Sequence, residues 1–333
     1  MRLLVTGGAG FIGSNFVHYW LERYPDDHVV VYDLLTYAGN RPSLAAVEDR
    51  IVFVQGDICD RELAASTLRD ERIEVVVNFA AESHNSLAVV DPTRFFRTNV
   101  LGTQTLLDAS RAAGVERFHH VSTCEVYGDL ALDTDEVFTE ESPYRPRTPY
   151  NASKAGADHA VRAYSETFQL PVTITNCSNN YGPYQFPEKV IPLFTTHALD
   201  DEPLPLYASV GHKREWLHVL DHCAAIDLVL RRGREGETYN VGSGVEATIE
   251  EVADRVLELT GKPSSLKTIV PDRPGHDRRY LLDASKIGRE LGWEPQHDWR
   301  EGLAGTVAWY TANRAWWEPL RGRAPVAEST AWG

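Results

Sequence analysis

Basic residues are scarce in this chain: 33 Lys and Arg stand against 48 Asp and Glu among 333 residues, a formal net charge of −15. Nucleic acid or a membrane surface would call for clustered Lys and Arg, so neither is expected as a partner. A diphosphate ligand would need its few cations placed locally. Cysteine is scarce too. Cys59, Cys124, Cys177 and Cys223 lie far apart with no C-x-x-C pair, which suggests neither a zinc site nor a disulfide framework. No apolar run approaches the roughly 18 residues of a membrane span, and no repeat or low-complexity segment occurs. Met1-Arg2 leads directly into Leu3-Leu4-Val5, which reads as a first strand and not a signal peptide. The expectation is a cytoplasmic enzyme without a metal.

The chain suits one large α/β domain with a smaller companion. Apolar strands are expected at Leu3–Thr6, Val29–Tyr32, Ile51–Val54, Val75–Phe79, Phe118–Ser122 and Val172–Thr175. Between them, helices are expected at Phe11–Tyr24, at 61–69 behind an Asp60 cap, from Asp91-Pro92 to about Ala113, and at Tyr150–Phe168. This alternation predicts a Rossmann-type, doubly wound parallel sheet over residues 1–175. From residue 176 Pro and Gly become frequent, and a smaller α+β lobe is expected over the carboxyl edge of the sheet. Residues 213–243 are expected to return to that sheet. Thr248-Ile249-Glu250-Glu251 has capping-box spacing and opens a helix to about Leu259. The last ten residues read as a loose tail.

Gly7-x-x-Gly10-x-x-Gly13 follows a strand and opens a helix, the context of a dinucleotide-binding turn. Its glycines let the backbone approach a pyrophosphate at the helix N-terminus. Asp33 lies 20 residues past Gly13, placed for a ribose 2′-hydroxyl, and would repel a 2′-phosphate. NAD is therefore the expected cofactor. Asp57-Ile58, after the third strand, could hold the adenine.

Tyr150-Asn151-Ala152-Ser153-Lys154 places Tyr and Lys four residues apart on one helix face. A tyrosine with pKa near ~10 is a poor base at neutral pH. A neighbouring ammonium and the positive nicotinamide would bring that value down. With Ser122-Thr123 at the end of a strand upstream, these residues resemble the extended short-chain dehydrogenases, and closely the dTDP-glucose 4,6-dehydratase family. Further matching segments are Thr36–Asn40, Ala80–His84, Glu125–Asp129, Asn179–Tyr184, Pro187–Lys189, Arg214–Trp216 and Arg273–Tyr280, so the resemblance spans about residues 1–320.

That resemblance implies a nucleotide-diphosphate hexose, with thymidine as the base, and a homodimer built from the helices near 92–113 and 150–168. It extends the cofactor contacts to Phe11, Ile12 and Ala80, with Tyr150 and Lys154 beside the nicotinamide. It implies that Tyr150 takes the sugar C4 hydroxyl proton and Glu125 the C5 proton. An acid protonates the departing C6 hydroxyl, and the hydride lost at C4 comes back at C6. Thr123 would hydrogen-bond the C4 oxygen. Ser83, His84, Asn179, Lys189, Tyr207, Arg214, Asn240, Arg273 and His276 would hold the substrate, the arginines through bidentate donors.

Two departures stand out. The family carries Asp-Glu after Ser-Thr, with the Asp as general acid; here the pair is Cys124-Glu125. The family usually reads Glu-Ser-His-Val-Asp-Arg-Ser where this chain has Glu82-Ser83-His84-Asn85-Ser86-Leu87-Ala88. A thiol near pKa ~8.5 holds its proton at neutral pH but releases it less readily than a carboxyl near ~3.9. Cys124 could serve as a slow acid or be a small buried filler. Three outcomes are therefore open: 4,6-dehydration; a paralogue that ends in a 5,6-alkene or a 4-epimer; and a non-catalytic NAD-binding protein.

Overall fold

A computed structural model describes residues 1–323; the tail expected at the C-terminus lies outside the described residues. The first strand, β1 (Arg2–Thr6), runs into α1 (Phe11–Arg23) and β2 (His28–Asp33). A 3-10 segment (Arg41–Arg50), β3 (Ile51–Gln55), α2 (Arg61–Asp70) and β4 (Val75–Asn78) follow. Asp60 does cap α2, its carboxylate accepting from the Leu63 N–H at 3.1 Å.

The helix expected as one rod from Pro92 to Ala113 is not continuous. A short α3 (Asn85–Val90) precedes α4 (Pro92–Phe95), a π-helical stretch (Phe96–Gly102) and α5 (Thr103–Ala113). The widened turn surrounds Asn99, which is buried. Its amide accepts from the Glu82 N–H at 2.8 Å and donates to the Glu82 carbonyl at 3.0 Å and to Ser153 Oγ at 2.8 Å. A π-type insertion of this kind marks functional positions more often than chance.

The remaining elements are β5 (Arg117–Thr123), α6 (Pro149–Phe168), β6 (Val172–Cys177), β7 (Asn179–Tyr181), α7 (Val190–Leu199), β8 (Leu204–Tyr207), β9 (Lys213–His218), α8 (Val219–Arg232), β10 (Thr238–Val241), β11 (Glu246–Thr248), α9 (Ile249–Thr260), β12 (Lys267–Val270), α10 (Ser285–Leu291), α11 (Trp299–Ala312) and α12 (Arg314–Trp317). The capping box opening α9 is formed, with Thr248 and Glu251 bonding each other's backbone N–H.

Seven parallel strands form the main sheet in the order β10-β6-β5-β4-β1-β2-β3. Both faces are covered, as an all-parallel sheet requires. Along β1, Leu3 and Val5 face α1 and α8 with Phe16, Trp20 and Ile226, whereas Leu4 faces α2, α5 and α6 with Leu106, Leu107 and Val161. Residues 213–243 divide between two sheets. β9 pairs with β7 and β11 in a three-stranded sheet of its own, while α8 packs on α1 and β10 completes the main sheet beside β6. The strand order reverses beside β1, at the carboxyl edge where open α/β sheets bind ligands.

Candidate active site

A cleft of about 410 Å³ opens along that carboxyl edge. Its floor at one end is the glycine turn. Gly7 has φ +66°, and a side chain there would put a Cβ 2.7 Å from the Ala80 nitrogen; a Cβ on Gly13 would collide with the Gly7 carbonyl. Each glycine thus keeps a place that a side chain would fill. No side chain caps α1, so its first N–H groups are open to an anion. Asp33 is held rigidly beside the turn: one oxygen accepts from the Ala9 N–H at 2.9 Å, the other from the Leu35 N–H at 2.8 Å. Each oxygen keeps a second lone pair for a ribose hydroxyl. Gly10, Phe11, Ile12, Asp57, Ile58 and Ala80 line the same end of the cleft. These residues fit NAD.

Thr123, Cys124, Glu125, Tyr150 and Lys154 meet at the middle of the cleft, from the end of β5 and the first turns of α6. Thr148 caps α6, its hydroxyl oxygen accepting from the Asn151 N–H at 3.2 Å. That cap and Pro149 fix where the helix begins, so Tyr150 and Lys154 fall on its inward face. Thr123 shapes the turn after β5 by accepting from the Glu125 N–H at 3.3 Å. Tyr150 packs edge-on against Phe95, ring centroids 6.2 Å apart.

The electrostatics depart from the expectation at one point. Burial, then the charge of Glu125, pushes the Tyr150 phenol well above its ordinary value, and a hydrogen bond with Thr123 pulls the other way. The Lys154 ammonium is turned beneath β5. It donates to the Val121 carbonyl at 2.8 Å and lies 3.3 Å from His120 Nε2. Burial lowers its pKa, against the pull of Asp158. Asp158 in turn lies 3.4 Å from His120 and accepts from Ser122 and Tyr144. Burial holds His120 at about 4, so at physiological pH the ring is neutral and its approach to Asp158 is no ion pair. Sequence reasoning missed His120, Asp158, Asn85 and Asn99. A signal existed for Asp158, four residues beyond Lys154 on the same helix face, and for His120, a polar residue inside an apolar strand.

Glu125 keeps part of its surface open to the cleft, yet burial raises its carboxyl above the ordinary range. Asp277 adds to the rise, while Arg273, a hydrogen bond from Asn85 and Arg214 oppose it. Cys124 is 1% exposed, among Val126, Tyr127, Phe138 and Tyr280, and burial pushes its thiol well above its usual value.

The far end of the cleft carries Ser83, Asn179 and Lys189. Lys189 Nζ donates to the Ser83 carbonyl at 3.0 Å, and the side-chain oxygen of Asn179 is buried without a protein partner. His84 lies 3.8 Å from the buried Glu188. Arg214, Arg273, His276 and Tyr207 form a neighbouring cluster. Tyr207 meets the His276 ring edge-on at 5.0 Å, and one Arg273 guanidinium nitrogen is buried with no protein acceptor. Burial, with Arg214 and Arg273 nearby, lowers His276 to about 2, so its ring is neutral. Arg214 is engaged by the main chain, donating to the carbonyls of Lys213, Arg278 and Asp277. Asn240 is a correction. It sits fully buried in β10, where its side chain accepts from Tyr127 and donates to the Phe138 carbonyl, so it is a packing residue of the sheet and no wall of the cleft.

Among the described residues no group of three metal-ligating side chains occurs and no helix is long and apolar enough to cross a membrane. Comparison with known proteins agrees with the geometry. A family model described as GDP-mannose 4,6 dehydratase matches residues 4–306. The chain is 50% identical over 322 residues to the dTDP-glucose 4,6-dehydratase of Mycobacterium tuberculosis (strain ATCC 25618 / H37Rv), covering 96% of each. The solved dTDP-glucose 4,6-dehydratase of Streptomyces venezuelae, with NAD bound, superposes with a TM-score of 0.93 at 53% identity, covering 96% of this chain and 100% of that one. A UDP-glucose 4-epimerase from Thermotoga maritima has the same architecture at 30% identity, with a TM-score of 0.88, covering 94% of this chain and 100% of that one. The chain belongs to the GDP-mannose 4,6-dehydratase family of nucleotide-sugar enzymes.

Proposed function

We propose that this protein is an NAD-dependent hydro-lyase that converts dTDP-glucose to dTDP-4-keto-6-deoxyglucose. The observation that carries the reading is the convergence of Thr123, Glu125, Tyr150 and Lys154 in one cleft with the glycine turn and Asp33. NAD bound there would take the C4 hydride, return it at C6, and lend its positive charge to the neighbouring phenol. Tyr150 takes the C4 hydroxyl proton while Thr123 hydrogen-bonds the C4 oxygen. The resulting ketone acidifies C5, and Glu125 removes that proton. Cys124 gives its proton to the C6 oxygen as water leaves. Lys189, Asn179, Arg273 and His276 hold the nucleotide diphosphate, and the buried unpartnered atoms of Arg273 and Asn179 support that role. Arg273 and Lys189 are the local cations that a chain of net charge −15 requires. We further propose a cytoplasmic homodimer, a reading supported by the exposed Phe96, Leu101 and Phe168 on the helices that would pair.

Incubation with dTDP-glucose, followed by alkali, tests the reaction through the near-ultraviolet absorbance of 4-keto-6-deoxy sugars and loss of water by mass spectrometry. An unchanged sugar with NAD bound would sink it. The raised thiol of Cys124 favours a second reading, in which a reluctant acid stalls water loss and the sugar is restored at C4 as its epimer; the same assay then shows an isomer of unchanged mass. Cys124→Asp discriminates further. The burial that pushes the thiol up would push a carboxyl up too, so an Asp here would keep its proton to higher pH than an exposed Asp while being a stronger acid than the thiol. Turnover is expected to rise roughly tenfold or more, within the ordinary range for general acid catalysis. Unchanged or lower turnover would make Cys124 a filler.

A further inference from the structure

Asn85 stands where the family pattern has Val, a residue that can neither donate nor accept. Here its Nδ2 donates to Glu125 Oε2 at 3.1 Å, and its Oδ1 accepts from Thr148 Oγ1 at 3.2 Å. The direction of this chain of bonds is fixed from one end. The Glu125 carboxylate only accepts, so the Asn85 NH2 faces it and the amide oxygen takes the hydrogen of the Thr148 hydroxyl, whose oxygen in turn accepts from the Asn151 N–H. Thr148 is the cap of α6, and Tyr150 lies two residues into that helix.

We propose that Asn85 is a positioning residue for the C5 proton transfer: it ties the Glu125 carboxylate to the Thr148 cap, so that the base and Tyr150 share one frame. The two groups act on adjacent carbons of one sugar ring, and a misplacement of about 1 Å can cost on the order of 100-fold. The inference rests on the dehydratase reading above, since only that reading gives Glu125 a proton to take.

The bond also biases protonation. Glu125 is faced by Asp277 and Tyr280 from the segment after β12, by Arg273 on the same segment and by Arg214 from β9. Cys124 beside it, Tyr150 on α6 and Cys177 on β6 complete its surroundings. A donor to the carboxylate favours its charged form. Without Asn85 the carboxyl therefore holds its proton to higher pH, and the base is lost first on the acid side.

Two variants test this, Asn85→Val, which removes both bonds, and the isosteric Asn85→Asp, which keeps the volume and replaces the donor with a second carboxylate. The readout is deuterium incorporation at C5 from heavy water across pH, measured by mass spectrometry beside C4 oxidation in a single turnover and thermal melting. The acid limb of C5 exchange is expected to move to higher pH in Asn85→Val and further in Asn85→Asp. A several-fold loss in the acid range would recover as pH rises, and the loss at C5 would exceed any at C4. An unmoved acid limb in the folded Asp variant, or equal losses at both carbons at every pH, overturns the proposal. Exchange at C5 by the unaltered protein without any 4-keto-6-deoxy product would instead overturn the dehydratase reading, and the Asn85 comparison would still be read from the exchange itself.

Discussion

Replacing Glu125 with Gln is expected to lower turnover by roughly 10²–10⁴-fold, the span of a general base, while leaving the first oxidation in place. Gln is the same size and can still accept from Asn85, so the pocket keeps its shape; what it loses is the ability to hold the C5 proton. The variant should therefore accumulate reduced nicotinamide on mixing with dTDP-glucose and release no 4-keto-6-deoxy sugar. The pH dependence follows from the sign of the shift. Burial, and then Asp277, hold the Glu125 carboxyl above the ordinary glutamate range despite Arg273, Asn85 and Arg214. The ionised form is the base, so turnover of the unaltered protein should fall as pH drops through that raised value, at a higher pH than an exposed glutamate would give. In Glu125→Gln this limb should be missing from whatever activity is left. Product formation near the unaltered rate would mean that another group takes the proton.

Tyr150→Phe should cost a similar ~10²–10⁴-fold, but at the other end of the sequence. Without the phenol nothing receives the C4 hydroxyl proton, and no reduced nicotinamide should appear at all. The ring should stay where it is, because Phe95, Leu87 and Ala88 pack it through apolar contacts that Phe retains. Melting temperature is expected to change little, since only the hydrogen bond with Thr123 is lost. Accumulation of reduced nicotinamide in this variant would assign the first proton transfer elsewhere. Together the two variants divide the reaction: one halts before the ketone forms, the other after it.

The parts of this site that could be read in the sequence are those whose spacing is local. The Gly7–Gly13 turn, Asp33 at the end of the next strand and the i, i+4 pair Tyr150 and Lys154 each sit within one strand–helix unit, so pattern implies position. The alternation of apolar strands with helices gave the parallel sheet for the same reason. Asn85 and Asn99 were not legible, because their partners are brought in by packing. Asn85 reaches Glu125 across 40 residues and Thr148 across 63, and Asn99 reaches Ser153 across 54. Asn240 misled in the opposite direction. The family resemblance made it a substrate contact, and only the packing of Tyr127 and Phe138 shows its amide to be consumed internally. Of the stretch 213–243 expected in the main sheet, only β10 joins it; Lys213–His218 pairs with β7 and β11 instead.

The π-helical stretch from Phe96 to Gly102 gives the length of the chain a meaning of its own. A regular α-helix advances about 100° per residue, so one residue more or fewer within that stretch would rotate everything before it relative to everything after. Phe95, which walls Tyr150, lies on one side; Asn99 fastens the stretch itself to Glu82 and Ser153. The active site is thus indexed by a count as well as by a set of side chains. A substitution at Phe96 or Leu101 alters a surface, whereas a deletion between them is a turn of the key.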